Sequence, residues 1–293
     1  MPDPLLLLIA IFVGLFGACI GSFLNVCIYR IPRDQSVVSP GSHCPHCNTA
    51  IPWYLNLPVL SWLLLHGRCR FCRGPISPRY LLVELLTALL FLVILFQQSA
   101  YPRLLGMQRL DDGLLVPVYL VFTGGLILGT FVDFEFMEIP DSVSIGGTVA
   151  GLVLSVLVPS MHGHGLAQDP AAIWQRSLFS LLHAAGSAGV GAGSLWLVGW
   201  LGEKAFKKEA MGLGDVKLMG AVGAFLGLKA VLFTIVGGAM AGSIVGVALI
   251  LTRRAQLQGQ IPFGPYLSLA ALTWIWWGPV LWLWYTNMLL IGP

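Results

Sequence analysis

The chain has 293 residues, of which 57% are hydrophobic and only 10% are charged. A soluble domain carries about a quarter of its residues as charged side chains, so this composition excludes an ordinary soluble protein. The formal net charge of +3 is too small to indicate a nucleic-acid partner.

Apolar runs close to the twenty or so residues that cross a bilayer core occur eight times in the sequence. The apolar stretch from Trp53 to His66 is shorter and contains Pro58, so we predict a buried or interfacial segment there rather than a span. The sequence therefore predicts an all-α polytopic membrane protein. Its roughly eight transmembrane helices lie near residues 5–28, 80–98, 114–135, 143–160, 178–201, 213–228, 230–251 and 265–289.

The first run has no Lys or Arg at its amino end and no clear small-residue cleavage site after it. These features favour a retained helix over a secretory signal. With eight spans, twelve Lys and Arg residues fall on one face of the membrane and four on the other. The positive-inside rule then predicts extracytoplasmic termini and a cytoplasmic segment 30–79.

Four cysteines lie in that cytoplasmic segment as two C-x-x-C pairs. The pairs are Cys44-Pro-His-Cys47 and Cys69-Arg-Phe-Cys72, with 21 residues between them. This spacing is close to that of zinc ribbons, in which each pair supplies two thiolates to one tetrahedral metal ion. Disulfides are the competing interpretation, but they are rare in the reducing cytoplasm. We predict a structural zinc site with four thiolate ligands.

Two aspartates mark the cytoplasmic ends of separate runs. Asp133 ends the third run, and Asp215 begins the sixth. A carboxylate at membrane depth costs about 2.5 to 3.5 kcal/mol, so such acids are candidates for function. The alternative is that each aspartate is an interfacial end-cap, with Asp215 favoured by the positive end of its helix.

Glycines directly before Asp215 favour a functional interpretation. Gly212 and Gly214 permit an unwound backbone and the close approach of another chain. Two aspartates in such a cavity share a proton, so that one activates water while the other polarises a carbonyl. This is the chemistry of aspartic peptide hydrolysis, and the sequence leaves open which aspartate takes which role. Lys217 either tunes the pair or anchors the helix at the membrane surface.

The sequence resembles the type IV prepilin peptidases, which are inner-membrane GxGD aspartic proteases. The resemblance covers most of the chain. Its segments are Gly21-Ser-Phe-Leu-Asn25-Val-Cys-Ile-Tyr-Arg30-Ile-Pro32, the double C-x-x-C loop, Ile76-Ser-Pro-Arg79-Tyr80-Leu-Leu-Val-Glu84-Leu-Leu-Thr87, Asp133-x5-Ile-Pro140-Asp141, Gly212-x-Gly214-Asp215-x-Lys217 and Pro262-Phe-Gly264-Pro265.

The resemblance implies that Asp133 and Asp215 are the catalytic pair, supported by Gly212, Gly214 and Lys217. It implies cleavage of the basic leader of prepilins or type II secretion pseudopilins after a glycine, on the cytoplasmic side of the bacterial inner membrane. It also implies N-methylation of the new amino terminus with S-adenosylmethionine, an activity associated with the cysteine loop. The expected domains are a first helix in 1–29, the cysteine loop in 30–79 and the peptidase in 80–293.

The acid Glu84 in the second run has two open interpretations. It pairs with a nearby arginine, or it binds an amine, either that of the cofactor or that of the substrate's amino terminus. The latter makes it a candidate cofactor-binding residue.

The competing function is a transporter in which Asp133 and Asp215 relay protons or cations and the cysteine loop acts as a cytoplasmic gate. That class predicts acids near the bilayer midplane and broken helices in repeated halves. The sequence has neither feature, since both acids lie near one face.

Overall fold

A computed structural model describes residues 4–104, 114–162, 171–207, 211–252 and 262–291. Of the basic residues used to predict the orientation, Arg109, Lys208, Arg253 and Arg254 lie outside this part of the chain. Eight helices cover the eight predicted apolar runs. They are α1 (Pro4–Arg30), α3 (Pro78–Leu104), α4 (Leu115–Phe136), α5 (Asp141–Leu157), α6 (Ala171–Phe206), α7 (Leu213–Leu226), α8 (Leu228–Leu251) and α9 (Gly264–Ile291).

The prediction of a helical multi-pass membrane protein is confirmed. Six of the described helices are long and apolar enough to cross a membrane. The other two are shorter, because α5 has 17 residues and α7 has 14. At about 1.5 Å per residue, α7 is about 21 Å long, which is less than the hydrocarbon core.

The predicted interfacial segment at residues 53–66 forms no span. It contains a 3-10 turn at Trp53–Leu55 and the short helix α2 at Leu60–Leu64. Large apolar side chains in it are exposed, among them Trp53 and Leu64. Exposed aromatic and aliphatic side chains of this kind are typical of a segment at a membrane surface.

The chain divides by its contacts into two compact units, Met1–Tyr101 and Pro102–Pro293. The N-terminal unit holds α1, α2, α3 and the cysteine loop, and the C-terminal unit holds α4 to α9. The contacts thus group α3 with the cysteine loop. The functional division predicted from the sequence, with boundaries after residues 29 and 79, stays a prediction.

In the N-terminal unit, α1 and α3 approach each other through glycines of α1. A Cβ at Gly21 would lie 2.7 Å from Cα of Glu84, and a Cβ at Gly17 would lie 2.9 Å from Cα of Ala88. Small residues let helix backbones come close in a bilayer, where van der Waals packing holds helices together. This close packing brings the polar residues of the two helices together.

In the C-terminal unit, α7 is the central helix and packs against α5, α6, α8 and α9. Residues 218–225 of α7 are all buried. Gly191 of α6 and Gly223 of α7 lack side chains where each meets the other helix's backbone. Phe225 stacks on Phe122 of α4 with ring centroids 4.6 Å apart. Residues of neighbouring helices therefore surround most of α7.

Candidate metal site and carboxylate pair

The structure brings the four predicted cysteine ligands together. Their Sγ atoms all lie within 4.8 Å of one another, and Sγ of Cys44 is 3.8 Å from Sγ of Cys72. Four thiolates at about 2.3 Å from one tetrahedral zinc ion are about 3.8 Å apart, so the arrangement fits zinc. All four thiols are free. The cysteines are close enough to hold a metal ion.

Each cysteine pair lies in a tight turn of the same design. In the first turn, the N–H of Cys44 donates to the carbonyl of Thr49 at 3.0 Å, and the N–H of Asn48 donates to the carbonyl of Cys44 at 2.9 Å. Asn48 has a φ of 54°, in the left-handed region. The second turn repeats both hydrogen bonds and the left-handed residue with Cys69, Arg73 and Gly74. The C-x-x-C spacing therefore fixes the ligand geometry locally.

The thiols do not ionise equally. Hydrogen bonding with Thr49 lowers the pKa of Cys47 to about 6. The N–H of Gly74 lowers the pKa of Cys72, but desolvation and the neighbouring thiols raise it to about 11. Like charges this close oppose one another, and a bound divalent cation removes that opposition by stabilising every thiolate. The donor set therefore suits a metal ion better than four free thiols.

Arg30, at the end of α1, holds the start of the loop. It is buried, and its guanidinium donates to the carbonyl oxygens of Ser36 at 2.8 Å and Pro40 at 2.7 Å. Arginine presents several donors in a fixed geometry, so one side chain can fix two segments of loop backbone. Nothing in the sequence predicts this role of Arg30.

Asp133 lies in the last turn of α4 and is buried, whereas Glu135 and Glu138 beside it are exposed. Its Oδ2 accepts a hydrogen bond of 3.0 Å from the N–H of Gly264, 131 residues away. Gly264 begins α9, and N–H groups at a helix start have no partner within the helix. The start of α9 therefore orients the carboxyl group of Asp133. This contact was not predicted, although Gly264 lies in the Pro262–Pro265 segment noted above.

Asp215 is buried in the first turn of α7. Gly212 is extended, with φ −68° and ψ 139°, and it is the N-cap residue of α7. The unwound backbone predicted around the glycines is therefore confined to Gly212 and does not include Gly214, which is helical. The absence of a side chain at Gly214 has another reason, since a Cβ there would lie 3.2 Å from Cβ of Ile139.

Ile139 lies beside a glycine near each aspartate, Gly214 before Asp215 and Gly264 at Asp133. A Cβ at Gly264 would lie 2.8 Å from Oδ2 of Asp133 and 2.8 Å from Cδ1 of Ile139. Ile139 is therefore close to Gly264 and to Gly214, the glycines nearest Asp133 and Asp215. Asp133 and Asp215 are close enough for the charge of Asp133 to act on Asp215. The end of α4 and the starts of α7 and α9 therefore form one buried acidic site.

Lys217 pairs with an acid other than the two buried aspartates. Its Nζ forms an ion pair of 2.7 Å with Oδ1 of Asp141, at the start of α5, and both side chains are partly exposed. Exposed ion pairs stabilise a fold by only about 0 to 1 kcal/mol. The contact links the starts of α5 and α7 beside the acidic site.

Glu84 lies in α3, in the N-terminal unit. It is buried and accepts a hydrogen bond from the N–H of Val59 at 2.7 Å. The arginine pairing considered from the sequence is not observed for Glu84 among the described residues.

The fold and the two sites together describe a multi-pass membrane protein with a loop whose four cysteines are close enough to hold a metal ion and with a buried pair of carboxylates. Family models match both units. The bacterial peptidase A24 N-terminal domain matches residues 15–98, and the type IV leader peptidase family matches residues 120–247. No solved structure matches the chain.

Curated relatives match nearly the whole chain. A protein of Aeromonas hydrophila is 36% identical over 94% of this chain and 94% of its own length, and one of Pseudomonas putida is 32% identical over 94% and 92%. A protein of Myxococcus xanthus is 38% identical over 83% of this chain, which spans 64% of that relative. All three are named prepilin leader peptidase/N-methyltransferase. The chain therefore belongs to the type IV leader peptidase family, as a multi-pass inner-membrane peptidase with methyltransferase activity.

Proposed function

We propose that this protein cleaves the basic leader of type IV prepilins or type II secretion pseudopilins after a glycine. It then methylates the new amino terminus with S-adenosylmethionine. The observation that supports the peptidase most strongly is the buried pair of Asp133 and Asp215, joined to the start of α9. The relatives named for both activities support the pairing of the two reactions.

The acidic site suits peptide hydrolysis by water. One ionised aspartate takes a proton from water, whose oxygen attacks the scissile carbonyl, while the protonated partner donates to the carbonyl oxygen. The carbon–nitrogen bond then breaks, and a proton returns to the leaving amine. The N–H of Gly264 holds Oδ2 of Asp133, which orients its carboxyl group for this exchange. The aspartates titrate as a pair, so the two roles belong to the pair.

The acidic site lies on the cytoplasmic face in this proposal, and the termini are extracytoplasmic. The twelve-to-four distribution of Lys and Arg supports that orientation. A leader rich in Lys or Arg is held inside by the membrane potential and the anionic leaflet. Its junction with the apolar segment then reaches the membrane depth of the two aspartates.

The cysteine loop of residues 30–79 holds a structural zinc ion through Cys44, Cys47, Cys69 and Cys72, and it serves the methyl-transfer reaction. A zinc ion held by these four cysteines would join two turns that are distant in sequence. The peptidase chemistry belongs to residues 80–293. The transporter alternative gains no support, since both aspartates lie at helix ends rather than in helix centres.

The test is an assay of purified protein in detergent with a leader-bearing prepilin and labelled S-adenosylmethionine, with cleavage and methyl incorporation measured separately. Asp133→Asn and Asp215→Asn each lower the cleavage rate at least about 1,000-fold, as for other catalytic residues. Glu138→Gln is the matched control, because Glu138 is an exposed acid near the same helix end. Near-normal cleavage by either Asn variant contradicts the proposed peptidase.

A further inference from the structure

A buried carboxylate in the N-terminal unit lacks a cationic partner. Glu84 is 7% exposed, and its hydrogen bonds come from neutral groups, the N–H of Val59 at 2.7 Å and the side chain of Ser22. Among the described residues no Lys, Arg or His pairs with it. Buried charges in proteins are normally paired, because desolvation of an unpaired charge is costly.

A second buried acceptor without a donor lies beside it. Asn25 is 1% exposed, and its amide nitrogen donates to the carbonyls of Tyr80 at 3.0 Å and Gly21 at 3.3 Å. Because both of those neighbours accept, the amide orientation is fixed. Its Oδ1 is buried and has no hydrogen-bond partner.

Helix geometry places the two acceptors near each other. Gly21 meets Glu84 across the α1–α3 contact, and Asn25 meets Tyr80 one turn along. Side chains lean toward the amino end of their helix, so the carboxylate of Glu84 leans toward Tyr80 and hence toward Asn25.

The loop beside Glu84 is strained. Val59 has φ 63° and ψ −54°, and the N–H of Leu60 donates to the carbonyl of Pro58 at 2.6 Å. These values define a γ-turn with positive φ, which is rare and unfavourable for a β-branched residue. The turn directs the N–H of Val59 at Glu84. Strained residues of this kind concentrate at ligand-binding sites.

We propose that Oδ1 of Asn25 and the carboxylate of Glu84 bind a primary ammonium group during methyl transfer. An ammonium group supplies a positive charge and several N–H donors, which these two acceptors lack. The inference rests on the proposed methyltransferase function. The reactants carry two such groups, the amino group of the methyl donor and the new amino terminus of the cleaved substrate, which must give up a proton before its nitrogen accepts the methyl group.

The variant Glu84→Gln tests the site, because it retains an acceptor for the N–H of Val59 and removes the charge. Thr87→Val is the matched control. Thr87 is buried one turn further along α3, and its hydroxyl donates only to the carbonyl of Val83 in its own helix. Unfolding temperatures of both variants establish that they are folded. Asn25→Leu, which removes the free acceptor, is the second test variant.

The two sources of the ammonium group are separated by two binding constants. If the donor's ammonium binds here, Glu84→Gln weakens S-adenosylmethionine binding about 10- to 100-fold in calorimetry. In that case, wild type and Glu84→Gln bind an analogue of S-adenosylmethionine without the amino group equally well. If the substrate's amino terminus binds here, the Kd of S-adenosylmethionine is unchanged, and KM for a pre-cleaved peptide rises by a similar factor.

Either result supports the ammonium site. The ammonium site is overturned if Glu84→Gln and Asn25→Leu are folded and both constants equal those of the wild type. In that case, methylation by the wild-type protein still supports the proposed function. A wild-type protein that cleaves precursor and transfers no methyl group instead contradicts the proposed function itself, and this inference with it.

Discussion

The two units of this protein build their polar sites in different ways. In the N-terminal unit, each pair of thiols lies in a six-residue turn whose own backbone hydrogen bonds set its geometry. In the C-terminal unit, Asp133 and Asp215 come from separate helices and meet a backbone N–H of a third. The cysteine site therefore depends on local turns, and the acidic site depends on how well helices pack. Variants of the two units should damage different reactions.

The largest packing effect is expected at Gly264 in the C-terminal unit. In Gly264→Ala, the new Cβ would lie 2.8 Å from Oδ2 of Asp133, so either the carboxyl group or α9 must move. We expect cleavage to fall about 100-fold, since small displacements of catalytic groups have effects of that size. Single-turnover cleavage of a prepilin measures it.

The control for that variant is Gly124→Ala, on the same helix as Asp133, where a Cβ has no neighbour within 4 Å. Equal cleavage rates for the two alanine variants would show that the start of α9 does not position Asp133.

Variants of the cysteine loop should reduce methylation more than cleavage. In Cys44→Ser with Cys47→Ser, one whole turn loses its thiolates, so the protein releases its metal, and methylation falls at least about tenfold. Cleavage falls less. Metal analysis of the purified proteins, beside both activity assays, checks this. Unchanged metal content in the double variant would contradict the zinc proposal.

Packing in the N-terminal unit is predicted to have a moderate effect on stability. A Cβ in Gly21→Ala would lie 2.7 Å from Cα of Glu84, a backbone atom that cannot rotate away. Overpacking of this kind costs about 1 to 3 kcal/mol, and it should lower the unfolding temperature. In Gly14→Ala the new Cβ would be 3.5 Å from a Leu92 methyl group, so this control should unfold close to wild type. A Gly21→Ala protein as stable as the control would contradict the close α1–α3 packing.

The smallest effect belongs to the ion pair between Lys217 and Asp141. Because both side chains are partly exposed, Asp141→Asn should change stability by less than about 1 kcal/mol and cleavage by less than about fivefold. Thermal unfolding and initial cleavage rates measure both. A loss as large as that of Gly264→Ala would assign Lys217 a role in the acidic site itself.

Much of this architecture could be predicted from the sequence, because its signals are local. Apolar runs of spanning length located the helices, and the spacing of Cys44, Cys47, Cys69 and Cys72 marked the ligand cluster. Asp215 was recognisable because glycines precede it. In each case the signal lies within one continuous stretch of the sequence.

The remaining features depend on tertiary packing. Nothing in the sequence pairs Gly264 with Asp133, or aligns Asn25 of α1 with Tyr80 of α3. The sixth apolar run reads as a span, whereas α7 is a short buried helix surrounded by others. Periodicity gives a helix and its apolar character, but it does not distinguish a lipid environment from a protein one.

The central claim is that Asp133 and Asp215 act as one catalytic unit, and the double variant Asp133→Asn with Asp215→Asn tests it most directly. Residues that act together show strongly non-additive losses. The double variant should therefore cleave a prepilin at about the same residual rate as either single variant in a single-turnover assay. Losses that multiply in the double variant would show that the two aspartates act independently and would contradict the account.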